Sequence, residues 1–194
     1  MKELIQIAEK IINIIDTNLS GKDLVLIGID GRCAAGKTTL AAILCEQLDC
    51  NVIHMDDFFL RPGQRTATRL AIPGENVDHE RFLSEVLFPL SQKEAVRYHP
   101  FNCHTMSFDN EISLPCKRIN IIEGTYCCHP NLIGYYDYHL FLTVSPDEQM
   151  RRIIEREGAE KAIVFRDKWI PLEEMYFKKL EDIGWIKLEK FYGN

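Results

Sequence analysis

This 194-residue sequence predicts an α/β fold in which a mostly parallel sheet lies between layers of helices. Three observations carry that prediction. Apolar runs of strand length recur at 24–30, 51–55, 118–123 and 137–144. Segments of helical period separate or flank them, most clearly at 2–16 and 37–48. A glycine-containing turn joins the first strand directly to the helix after it, which is how parallel units begin.

In chain order, Leu4, Ile7, Ala8, Ile11, Ile12 and Ile15 share one face of an N-terminal helix at 2–16, expected to cover the sheet edge. Ser20-Gly21 ends it. The first strand then runs into Gly31-Arg-Cys-Ala-Ala-Gly-Lys-Thr-Thr39. Gly31, Gly36, Lys37 and Thr38 fit G-x-x-x-x-G-K-[ST], the nucleotide-binding P-loop, so the fold expected is the three-layer P-loop NTPase type. Glycines let the backbone wrap phosphate so that N–H groups point inward, and the following helix presents its positive end. Residues Gly31, Arg32, Cys33, Ala34, Ala35, Gly36, Lys37, Thr38 and Thr39 are therefore expected to contact ATP. Lys37 reaches the β- and γ-phosphates in this reading, and Thr38 takes Mg²⁺.

The second strand ends at Asp56-Asp57-Phe58-Phe59, where α/β proteins bind ligands. Asp56 or Asp57 is expected to be catalytic. Residues 61–77 form a long Arg- and Pro-containing loop with Arg61, Arg65 and Arg69. Asp78 is placed to cap a helix through Arg81, Phe82, Val86 and Leu87 that ends near Pro89. Within 95–115, residues 95–98 and 111–114 are expected to pair as a small antiparallel excursion, with His99, Phe101, Asn102 and His104 between them. The third strand closes on Glu123, which suits a second acidic group near Mg²⁺. After the fourth strand, Arg151, Arg152 and Arg156 lie on a helix, with Arg152 and Arg156 on one face as candidates to close over nucleotide phosphates. Pro171 is read as the first turn of the final helix, with Glu173 and Glu174 near its positive end.

Composition bounds the function. The net charge of −6 argues against nucleic acid as partner, while leaving room for a local basic pocket. No apolar run approaches the ~18 residues of a membrane span, and the N-terminus lacks a signal-peptide pattern, so a cytoplasmic location is expected. Seven irregularly spaced cysteines without a C-x₂-C pair fit reduced thiols better than disulfides or structural zinc. One domain spans 1–194, divided into the N-terminal helix (2–16), a nucleotide core (24–60), an acceptor region (61–115) and a lid (about 147–168).

Together these stretches resemble the uridine kinase-like branch of the P-loop kinases, with phosphoribulokinase and pantothenate kinase as relatives. The matching segments are 31–39, His54-Met-Asp-Asp-Phe-Phe59, Pro73-Gly-Glu-Asn-Val-Asp78, Ile122-Glu-Gly-Thr-Tyr126 and Trp169-Ile-Pro-Leu-Glu-Glu174. The resemblance implies an ATP- and Mg²⁺-dependent kinase that phosphorylates a small-molecule hydroxyl acceptor, a nucleoside first. Pantothenate, a sugar phosphate or nicotinamide riboside are the alternatives, and a nucleotide-binding regulator or degenerate kinase is the rival outside catalysis. It implies catalytic roles for Asp56, Lys37 and Glu123, metal contacts from Thr38 and Glu123, and acceptor contacts from Asp57, Phe58, Phe59, Arg61, Tyr98 and His104. The family's Tyr-Asp-Phe element falls nearest to Tyr98-His-Pro-Phe-Asn102, with Asn102 where an aspartate is expected. A final apolar strand is also implied. Residues 183–188 fit it poorly, so that fifth strand is expected to be missing or altered. Homo-oligomerisation stays open.

Overall fold

The computed structural model describes residues 2–184 and the backbone of 190–192. Helix α1 (Lys2–Thr17) is followed by β1 (Val25–Gly31), α2 (Lys37–Gln47) and β2 (Cys50–His54). Short helical turns then lead to β3 (Val96–Tyr98), β4 (Phe101–Asn102), β5 (Ser107–Phe108) and β6 (Ile112–Leu114). The chain returns to the sheet with β7 (Ile119–Glu123) and β8 (Tyr138–Thr143), and continues through α3 (Pro146–Glu157), α4 (Ala159–Val164), α5 (Ile170–Asp182) and β9 (Lys190–Tyr192).

The main sheet has the order β2-β7-β1-β8-β9, and all its pairs are parallel. Strands β1 and β7 are buried along their whole length, as strands covered on both faces must be. One face carries Leu4, Ile7, Ile11 and Ile15 of α1 with Leu40 and Leu44 of α2. The other carries Phe58, Phe82, Val86 and Leu90 together with Tyr176 and Phe177 of α5. Since every strand is parallel, β1, β2 and β7 deliver their C-terminal residues to one edge, which is where the site forms. The excursion pairs Val96 with Leu114 and Tyr98 with Ile112, in the antiparallel sense expected of it.

Three sequence expectations are sharpened. The fifth strand is not missing but altered: a three-residue strand, Lys190–Tyr192, pairs in parallel with β8 beyond the weakly apolar 183–188, of which 185–188 lie outside the described residues. Backbone ladder bonds, which any residue supplies, suffice for so short a strand. The helix begun by Asp78, whose carboxylate accepts the Arg81 amide, ends near Pro89 as expected, with its last turn passing through the proline to Ser91. Pro171 does stand in the first turn of the final α-helix, as expected, but that helix continues a chain already helical from Ala159. Each proline follows a π-turn, Leu83–Leu87 and Phe165–Trp169 respectively. A proline lacks the N–H and collides with the carbonyl four residues back, and the wider turn relieves both problems.

Candidate active site

The phosphate loop is built by close approach. Gly31 has φ +139°, and a Cβ there would lie 1.9 Å from the Leu142 carbonyl oxygen of β8. Gly36, at φ +98°, caps α2 in the left-handed region. Lys37 is buried, and its ammonium donates to the carbonyls of Gly31 and Arg32 at 2.9 Å each and to Thr125 Oγ1 at 3.1 Å. A helix turn on α5 braces the loop from behind. Tyr176 donates its hydroxyl to Asp30 at 2.8 Å, Glu174 receives the Arg32 guanidinium at 2.6 and 2.7 Å, and Glu173 accepts the Cys33 amide at 3.1 Å. Asp30 is itself buried, and also accepts the amides of Gly31, Tyr126 and Cys128. It thereby ties the loop after β1 to the loop after β7.

Beside the loop, Thr38 Oγ1 donates to Glu123 Oε1 at 3.0 Å, and His54 Nδ1 lies 2.6 Å from the same oxygen. That hydrogen bond is the main reason the His54 imidazole is pushed above its ordinary range. Asp56 is open to the cleft yet ringed by protein. Burial raises its carboxyl, opposed chiefly by the Lys37 charge. Lys37, Thr38, Asp56 and Glu123 all wall one cleft of about 1130 Å³.

The rest of that cleft sorts the sequence candidates. Cys33, Ala34, Gly36 and Thr39 line it on the loop side. Gly31 and Ala35 shape the loop without lining it, and Arg32 is turned away to Glu174 and to Thr143 Oγ1. Arg152 and Arg156 line the lid side, where Arg152 donates to the Ala34 carbonyl at 3.2 Å. Ala34 has φ +59°, so a cleft arginine holds the strained residue of the loop. Arg151 instead pairs with Glu148 and Glu155 on the exposed surface.

Phe59 and His104, two of the expected acceptor contacts, also line the cleft, with Arg65, Leu70, Asn76, Cys103 and Tyr126. Phe58 does not. It is fully buried, edge-on to Phe82 at 4.8 Å, with the Arg81 guanidinium 4.1 Å above its ring. The reason is the 3₁₀ turn Met55–Phe58, whose three-residue repeat sends Met55 and Phe58 inward and leaves Asp56 facing out. Tyr98 is buried too, and donates to Asp57 Oδ2 at 3.0 Å. Neither Tyr98 nor Asp57 walls the cleft, and Arg61 points to Gln64 and Asp78 instead. Asn102 caps its own hairpin through the amides of His104 and Thr105.

Comparison with known proteins fits this geometry. No protein-family model matches the chain. Uridine kinase of Shewanella halifaxensis is 30% identical over 158 residues, covering 74% of this chain and 73% of the relative. Nicotinamide riboside kinase 2 of Mus musculus is 29% identical over 170 residues, covering 82% and 83%. The structure of a possible uridine kinase from Bacillus stearothermophilus superposes with a TM-score of 0.68 at 19% identity, over 96% of this chain and 99% of that one. The chain belongs to the uridine kinase-like P-loop kinases.

Within this kinase several contributors were not singled out from sequence. Asp30, Thr125, His54, Asn76, Glu173 and Tyr176 either line the cleft or hold the groups that do, whereas Arg65, one of the three loop arginines read as able to approach phosphate or substrate, does line it. His54, Asn76, Thr125 and Glu173 lie within the stretches that carried the family resemblance, and Asp30 directly precedes the phosphate loop, but none was given a site role there. The residues present fit a magnesium nucleotide. Gly31 leaves no room for a side chain, and the groups beside the loop, Thr38 and Glu123, offer the oxygen ligands that a hard cation takes. Among the described residues no helix is long and apolar enough to cross a membrane.

Proposed function

We propose that this kinase transfers the γ-phosphate of ATP to a hydroxyl of a ribosyl acceptor, most simply the 5′-hydroxyl of a nucleoside. The observation that carries the reading is one cleft whose wall brings Lys37, Thr38 and Glu123 together with Asp56. Thr38 and Glu123 would hold Mg²⁺, which would supply charge neutralisation to the phosphates. Lys37, held by the Gly31 and Arg32 carbonyls, exchanges them for phosphate oxygens and becomes a charge clamp. Asp56 orients the acceptor hydroxyl and accepts its proton. The protein surrounding its position in the cleft raises its carboxyl, which makes the carboxylate a stronger base than an aspartate in open water. Arg152 and Arg156, from a lid spanning about 147–168, add positive charge where phosphate charge spreads. Phe59 and Tyr126 give the acceptor a face to rest on, with Asn76 and His104 as polar partners. Removing Lys37 should lower kcat by about 10²- to 10⁴-fold.

The names of the relatives, uridine kinase and nicotinamide riboside kinase, support a ribosyl acceptor, while pantothenate and sugar phosphates remain the competing class. A panel of nucleosides, nicotinamide riboside, pantothenate and sugar phosphates, each with Mg-ATP and product detection by mass spectrometry, tests the reading. Phosphorylation of a ribosyl compound at the highest kcat/KM is expected. A preference for pantothenate or a sugar phosphate overturns the acceptor class, and ATP binding without turnover on any acceptor overturns catalysis.

A further inference from the structure

Helix α5 reaches the phosphate loop with two consecutive carboxylates that sit in different surroundings. Glu174 holds Arg32 and stays partly exposed. Glu173 is 5% exposed, lines the cleft and accepts the Cys33 amide. A buried carboxylate oxygen thus occupies a backbone N–H of a loop whose amides are suited to anionic oxygen. The charges facing it are few. Lys37 favours its ionised form and Asp30 opposes it, while the Cys33 thiol and the Tyr126 phenol, both pushed up by burial, stay neutral. Burial lifts the Glu173 carboxyl to about 7.

A triphosphate entering the cleft adds negative charge and engages Lys37. Both changes favour a neutral carboxyl at Glu173. We propose that Glu173 is a positioning residue that takes up a proton when nucleotide fills the loop. In the empty protein its carboxylate holds the Cys33 amide, and after nucleotide enters, the neutral carboxyl keeps that bond without repelling phosphate. The inference rests on reading the cleft as a triphosphate site.

Calorimetric titration with Mg²⁺ and a non-hydrolysable ATP analogue, in buffers of different ionisation enthalpy, counts the protons. At pH 7.5 the wild type should take up about 0.5 to 0.8 proton per nucleotide more than Glu173→Gln, which keeps an acceptor for the amide. Between pH 7 and 8.5 its affinity should weaken by about tenfold beyond any change in Glu173→Gln. In wild-type protein carrying ¹³C-labelled glutamate, an infrared difference spectrum should show a protonated carboxyl appearing with nucleotide, a readout that does not depend on how the variant folds. Equal proton counts in the two proteins, or no new glutamic acid band, overturns the proposal while leaving nucleotide binding intact. Absence of any nucleotide binding by the wild type overturns the site reading and the proposal with it.

Discussion

Thr38 Oγ1 and Glu123 Oε1 are joined by a 3.0 Å hydrogen bond, which links the first turn of α2 to the end of β7. On the proposed reading the two groups form one metal-facing unit. Thr38→Ala and Glu123→Gln should each lower kcat/KM by about 10- to 100-fold and raise the Mg²⁺ concentration needed for half-maximal rate. Because the groups act together, the double variant should lose less than the product of the single losses. Initial rates across a Mg²⁺ series for the four proteins check this. Full multiplicativity would mean that the two residues act independently.

Gly31 sits where no side chain fits. A methyl group there would meet the Leu142 carbonyl at 1.9 Å, and φ of +139° disfavours any other residue. Gly31→Ala should destabilise the fold by on the order of 3 kcal/mol or more and weaken nucleotide binding with it. Urea unfolding monitored by Trp fluorescence and circular dichroism reads the loss.

His129 gives the fold a pH dependence of known sign. It is buried and stacked on His79 with ring centroids 4.0 Å apart, and its Nδ1 accepts the Asn131 amide. Burial, with the neighbouring His79 charge adding to it, lowers its pKa to about 3. An unfolded histidine titrates near 6.5, so below that value the unfolded chain binds a proton that the native state refuses. Stability from this residue is complete above about pH 6.5 and declines as pH falls toward 3. From pH 7 to 5 the loss should be about 2 kcal/mol, and His129→Asn, which can still accept the Asn131 amide, should show less of it. Unfolding free energies measured at both pH values decide the matter. Equal slopes in the two proteins would remove His129 from the account.

What the sequence made legible was local. The phosphate loop is a spaced motif inside nine residues, and Asp56 and Glu123 each follow an apolar run that ends in a turn. Such signals survive without tertiary information. Phe58 and Phe59 are chemically identical neighbours, and only the 3₁₀ turn decides that the first enters the core and the second faces the cleft. Pro89 and Pro171 look like helix boundaries because proline breaks the α-helical ladder, but π-turns that leave no mark in composition carry the helices through. The brace behind the loop was hidden for another reason. Asp30 and Tyr176 are 146 residues apart, and Glu173 and Glu174 read as ordinary acids near a helix start until the fold sets them against Cys33 and Arg32.

The most direct test of the central claim is acceptor-dependent turnover of Asp56→Asn, with nucleotide affinity measured on the same protein. The side chain keeps its size and loses its basicity. Asp56 faces the cleft and does not hold the phosphate loop, so nucleotide binding should stay within a few-fold of wild type. Phosphoryl transfer to the best acceptor should fall by about 10²- to 10⁴-fold. The wild-type rate should decline on the acid side at a pH above the ordinary carboxylate range, because burial raises the Asp56 carboxyl and protonation silences it. Undiminished turnover in Asp56→Asn would contradict the assignment of Asp56 as the base.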